Sequence, residues 1–258
     1  MSGWSGLASA GWLAGGLLIA GVIVAGGVLG GWGWARVASG LAGCVLLVLA
    51  AAGLHDPLSS MTDYIAGLMA LNQLSPPLLL LALPARVCDR LRGAPAPRPA
   101  PGLRGWLFDP VVAASLFATV SVAISLPGLF EPALADALFS APLGLVELAC
   151  GLLLWAQLFW PLRTIGPDWA AGGLALAASV PMTAVAVVWM LSPVVVYAPY
   201  LDVICRWNIP PLADQKWAAF VMLLAGLPLQ IAGSWRLVRL PVAPDVFRAP
   251  TGGPEPLA

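Results

Sequence analysis

Apolar residues run along this chain in long, nearly unbroken blocks, and most polar residues collect in the short gaps between them. A helix that crosses the hydrocarbon core of a bilayer needs roughly 20 mostly apolar residues. Seven blocks approach that length, near 7 to 31, 36 to 54, 62 to 84, 109 to 130, 137 to 160, 170 to 193 and 215 to 236. The pattern predicts an all-α polytopic membrane protein, a seven-transmembrane-helix bundle over residues 1–240. The remainder, 241–258, holds five prolines and two glycines in eighteen residues and predicts a disordered tail. Within the third block Pro76 and Pro77 remove two backbone donors, which predicts a kink or an end of that helix. Gly and Ala in GWLAGGLLIAGVIVAGGVLGG let helices approach closely, inside the bundle or against another protein.

Composition sharpens this picture. Of 258 residues 60% are hydrophobic and 9% charged, and the mean hydropathy is +0.91; soluble domains carry about 25% charged residues. Twelve basic and twelve acidic residues cancel, so the chain offers no broad attraction for nucleic acid. No charge precedes Arg36 and no small-residue cleavage signature follows the first apolar run, which reads as a retained span. The arginines set orientation. With the N-terminus outside, the inner segments hold Arg36, Arg86, Arg90, Arg92, Arg98, Arg104, Arg163, Arg236, Arg239 and Arg248, while Arg206 and Lys216 alone stay outside. The positive-inside rule therefore predicts an external N-terminus and a cytoplasmic C-terminus. The basic, proline-rich loop from Arg86 to Trp106 fits an extended linker beside anionic headgroups.

Candidate chemistry is sparse. Cys44, Cys88, Cys150 and Cys205 lack the spacing of a zinc or redox motif. No span contains a histidine, which excludes a bis-histidine haem site within this chain, and the one lysine, Lys216, lies at the mouth of the last helix, too shallow for a retinal Schiff base. The outer side collects His55, Asp56, Asp63, Glu131, Asp136, Asp202 and Asp214, a rim that is either solvation or an attraction for a cation or a basic partner. Glu147 lies on the order of 15 Å down its helix. It is either a functional acid or a carboxyl bonded to a neighbouring helix. Transporters pair such groups along a pathway, and Glu147 stands by itself. Asp214 sits where a helix begins, so it caps that helix, docks a partner or handles an ion.

Three segments together resemble the CtaG-type cytochrome c oxidase assembly factors: SPPLLLLALPAR from Ser75, LPGLFEPALADALFSAPLGLVELACGLLLW from Leu126 to Trp155, and PPLADQKWAAFVM from Pro210. The resemblance covers about residues 50 to 240, and PLADQ is its most specific piece. It implies a seven-helix bundle of a bacterial plasma membrane, with histidines near the outer face that handle copper for the oxidase, and no enzymatic turnover. Two histidines at i and i+4 share one helix face, and imidazole suits copper. In this chain, however, the family's H-M-x-x-H falls on Tyr64 to Leu68, its second pair on Gly144 and Leu148, and a further histidine near Ser125. Copper, if handled, is then expected near the outer ends of the third, fifth and seventh helices. The groups available there are His55, Asp63, Glu147, Cys150, Asp214 and Met69. The expected partners are cytochrome c oxidase subunits or another respiratory membrane complex, within the lipid bilayer. The rival expectations are a diverged scaffold without metal and, more weakly, a small-molecule transporter working through Glu147.

Overall fold

The computed structural model describes residues 2–84, 86–88, 106, 108–135, 137–158, 165–201 and 205–238, with the side chains of 2–9 and 132–141 excepted. Most of the basic loop (89–105 and 107), Asp136, Asp202, Arg163, Arg239 and the tail from 241 lie outside the described residues.

The first two apolar blocks form α1 (Ser2–Gly30) and α2 (Trp34–His55). Their connection turns at Gly31, φ +60°, a left-handed conformation that costs a side chain but not glycine. The third block is α3 (Met61–Met69), a π-helical turn (Ala70–Leu74) and α4 (Ser75–Ala82), continuous from Met61 to Ala82. Pro76 and Pro77 therefore do not end this helix. They follow directly on the π turn, where Ser75 N donates to the Ala70 carbonyl five residues back. The wide turn places both prolines in the first turn of α4, where a missing donor is tolerated.

The fourth block divides. α5 (Pro110–Ala123) is capped by Asp109, whose carboxylate accepts from Val111 N and Val112 N. It stops in a turn at 124–126, and α6 (Pro127–Ala135) follows. Pro127 disfavours helical geometry at the residue before it. Ser125 Oγ donates back to Ser121 O at the same break. Next come α7 (Ala137–Leu158), α8 (Asp168–Leu191), a 3-10 turn (Ala198–Tyr200) and α9 (Pro211–Val238). Among the described residues five helices are long and apolar enough to cross a membrane: Ala10–Gly30, Trp34–His55, Met61–Ala82, Asp168–Leu191 and Pro211–Val238. Pro110–Ala123 and Pro142–Leu158 are shorter apolar helices. The chain is thus a multi-pass membrane protein, with five of the seven expected runs reaching spanning length among the described residues.

The α3–α4 span is the most buried of these and packs against α2, α7 and α9. α8 and α9 form the most extensive pair. They touch where Gly172 meets the Gly233 backbone; a Cβ on Gly172 would lie 2.7 Å from the Gly233 carbonyl oxygen. Gln230 Nε2 donates to Thr183 Oγ1 across the same seam. α1 exposes Leu17, Leu18, Val22 and Leu29, the surface expected of a lipid-facing helix.

Candidate functional site

The polar gaps at one end of the bundle are tied together by side chains. Asp214, in the first turn of α9, reaches the start of α3: Ser60 Oγ, Met61 N, Thr62 N and Thr62 Oγ1 all donate to its carboxylate, at 2.6 to 3.2 Å. Four donors around one buried anion complete the N-terminus of a neighbouring helix rather than of its own. Ser60 accepts in turn from Asp63 N. The next residue, Gln215, is wholly buried. Its Oε1 accepts from Val196 N at 2.8 Å, and its Nε2 donates to the carbonyls of Trp189 and Val194. The DQ pair therefore fastens both α3 and the segment after α8 to the head of α9. Tyr200 Oη donates to Pro57 O, Tyr197 Oη to Ser125 O, and Glu131 accepts from Ala198 N. Burial raises the Tyr197 and Tyr200 hydroxyls above the ordinary phenol range.

Beneath this latch lies an aromatic cluster. Tyr64 meets Phe130 edge-on at 5.6 Å, and Phe130 contacts Tyr197 at 4.3 Å and Trp189 at 5.9 Å. The positions that the resemblance assigns to imidazoles converge here. Tyr64 and Leu68 are fully buried in the same core as Phe130 and Tyr197, and Leu148 packs against that core. The Ser125 carbonyl takes the Tyr197 hydroxyl. Gly144 faces Leu54 and Leu71, where a Cβ would come within 3.0 Å of both side chains. A phenol, two isobutyl groups, a hydrogen and a hydroxymethyl group thus stand at the five positions, and they do not make a copper donor set.

A second buried polar group lies at the π turn. Asn72 Nδ2 donates to the Glu147 carboxylate, and Gln73 Nε2 points to Met182 Sδ at 3.6 Å. All three polar residues are fully buried. Glu147 Oε1, Asn72 Oδ1 and Gln73 Oε1 have no hydrogen-bond partner among the described residues.

The five candidate ligands do not meet at one point. His55 is exposed at the last turn of α2, Asp63 lies 3.8 Å from Arg206, and Asp214 is spent on α3. Glu147 bonds across to Asn72, with buried Cys150 three residues further along α7. Met69 is buried in the aromatic core. No group of three or more His, Cys, Asp or Glu able to hold a metal occurs among the described residues. Sequence reasoning did not weigh Asn72 and Gln73, although two adjacent amides in an apolar run signal interhelical bonding. Ser60 and Thr62, as donors to a residue some 150 positions away, carried no such signal.

No curated protein and no solved structure matches the chain. The family model of the cytochrome c oxidase caa3 assembly factors matches residues 12–239, spanning every helix described above except the first residues of α1. That span takes in the latch, the aromatic core and the π turn alike, and the chain belongs to the cytochrome c oxidase caa3 assembly factor family.

Proposed function

We propose that this protein serves the assembly of a caa3-type cytochrome c oxidase in a bacterial plasma membrane as a docking scaffold, without carrying copper and without turnover of its own. The observation behind this reading is the packed aromatic core. Tyr64 and Leu68, which stand where the resemblance puts a pair of imidazoles, are sealed at 0% exposure against Phe130 and the neighbouring helices. Copper(I) takes imidazole, thiolate or thioether. The phenol of Tyr64 offers none of these, and the buried residues of that core include no histidine or cysteine, its soft groups being the thioethers of Met61, Met69, Met182 and Met222. The family's bundle and its DQ latch persist around the filled site, which favours a role in holding oxidase subunits or their assembly partners.

Two measurements test the reading. In cells lacking the protein, spectroscopically detected oxidase should fall and return when the natural chain is supplied; unchanged oxidase would sink the assembly role. The purified protein under reducing conditions should hold no stoichiometric copper(I), with His55→Ala and Cys150→Ser restoring oxidase as well as the natural chain does. One copper per chain, lost in Cys150→Ser, would replace the scaffold with a rebuilt delivery site at α7.

A further inference from the structure

A groove of about 400 Å³ runs along the outside of the bundle between α2 and the α3 span. Its walls are Leu46, Leu49, Ala66, Ala70 and Leu74, and Leu49 is 60% exposed, so the groove opens toward the bilayer. From Asp63 to Leu74 is eleven residues, or about 16 Å of helix. One leaflet is half of a hydrocarbon core of about 30 Å, so the groove is one leaflet deep.

The mouth is polar. Arg206 stands 3.8 Å from Asp63, with side chains 67% and 27% exposed. The guanidinium lies 5.5 Å over the ring of Trp207, which is itself exposed in the manner of interfacial tryptophans. Arg206 N donates to Ser59 O at 2.8 Å, which fixes this loop above the groove. A cation and an anion side by side, above an apolar slot one leaflet long, complement a zwitterionic lipid. The guanidinium suits a phosphate, which it can hold with two donors. The carboxylate suits a group that carries positive charge and N–H donors.

The geometry points to a binding site for one phospholipid with a primary ammonium headgroup, of the phosphatidylethanolamine kind. Its phosphate lies on Arg206, its ammonium on Asp63, and one acyl chain fills the groove. A choline headgroup has no N–H to give Asp63, and a glycerol headgroup brings no cation. A partner helix is the other occupant of such a groove, and the packing of its walls decides against it. The glycines that would admit a helix are already used between α2 and α3. A Cβ on Gly53 would lie 2.5 Å from the Asp63 carbonyl oxygen, and one on Gly67 3.0 Å from that of Ala50.

The test uses the full chain, delipidated in detergent and offered phosphatidylethanolamine, phosphatidylcholine and phosphatidylglycerol of equal chain length, with retention read by native mass spectrometry. One phosphatidylethanolamine per chain should be retained about tenfold over the other two, the scale of one charged hydrogen bond. Asp63→Asn should erase that preference while lipid still binds, Arg206→Gln should weaken all three lipids, and Ala66→Phe should block the groove. Equal retention of the three lipids by the natural chain overturns the assignment, as does retention unchanged in both charge variants. A photocrosslinker at Leu49 that joins a protein helix in membranes, rather than lipid, overturns it too. Should Ala66→Phe fail to fold, the surface variants at Asp63 and Arg206 decide.

Discussion

Asp214 accepts from Ser60 Oγ and Met61 N, both buried at the start of α3, and from the half-buried Thr62 N and Oγ1. Removing its carboxylate strands the two buried donors, and a buried donor without a partner costs about 1–3 kcal/mol. Asp214→Ala is therefore expected to lower stability by on the order of 3 kcal/mol or more, with Asp214→Asn intermediate because one carbonyl oxygen remains. Unfolding in detergent, followed by tryptophan fluorescence, measures both. Tyr200 yields a pH prediction at the same scale. Burial foremost, then the neighbouring Tyr64 and Asp214, raises its hydroxyl above the ordinary range, and that hydroxyl donates to Pro57 O. A group whose folded pKa is raised lends stability that is fully present below the unfolded value of about 10 and is lost as pH rises beyond it. Stability should thus decline in alkali above about pH 10, and less steeply in Tyr200→Phe.

The π turn shows how one helix can be read both correctly and incorrectly. The length of the third span was legible because nothing charged interrupts residues 64–85, and the double proline was legible as a loss of donors. Its accommodation was not, because a π turn leaves no mark on apolar periodicity. The cost of the turn appears on the neighbour. A side chain on Gly151 of α7 would overlap the Asn72 carbonyl oxygen and come within 2.9 Å of the Pro76 ring. Gly151→Ala is expected to destabilise by about 1–3 kcal/mol, read as a lower unfolding temperature, whereas Gly173→Ala on α8, with nothing within 4 Å, should be neutral. The candidate site was legible to a similar depth. Asp214 and Gln215 stood out in PLADQ, and so did Tyr64 and Leu68 as the residues standing where the resemblance implies a pair of imidazoles. That Asp214 caps α3, and that aromatics from three distant segments meet at Phe130, depends on contacts between residues far apart in the chain.

For the molecule as a whole, five spans and seven spans both put the termini on opposite sides, so the arginine distribution makes one testable statement. Reporter fusions should be active outside the cell at the N-terminus and inside at the C-terminus. The four cysteines are all buried. A thiol reagent in detergent should accordingly modify none of them rapidly until the bundle opens, and fast labelling of Cys205 would mean that the latched end is loose. That end also imposes an order on biogenesis. The helix start at Ser60 and Thr62 is completed by a carboxylate that lies 152 to 154 residues later. At about 5–20 residues per second of synthesis, the third helix waits roughly 8 to 30 s in the membrane with its amides unanswered. Until the last helix arrives, that open end distinguishes an unfinished chain from a finished one, and a membrane protease or insertion chaperone has there a mark of incompleteness to act upon.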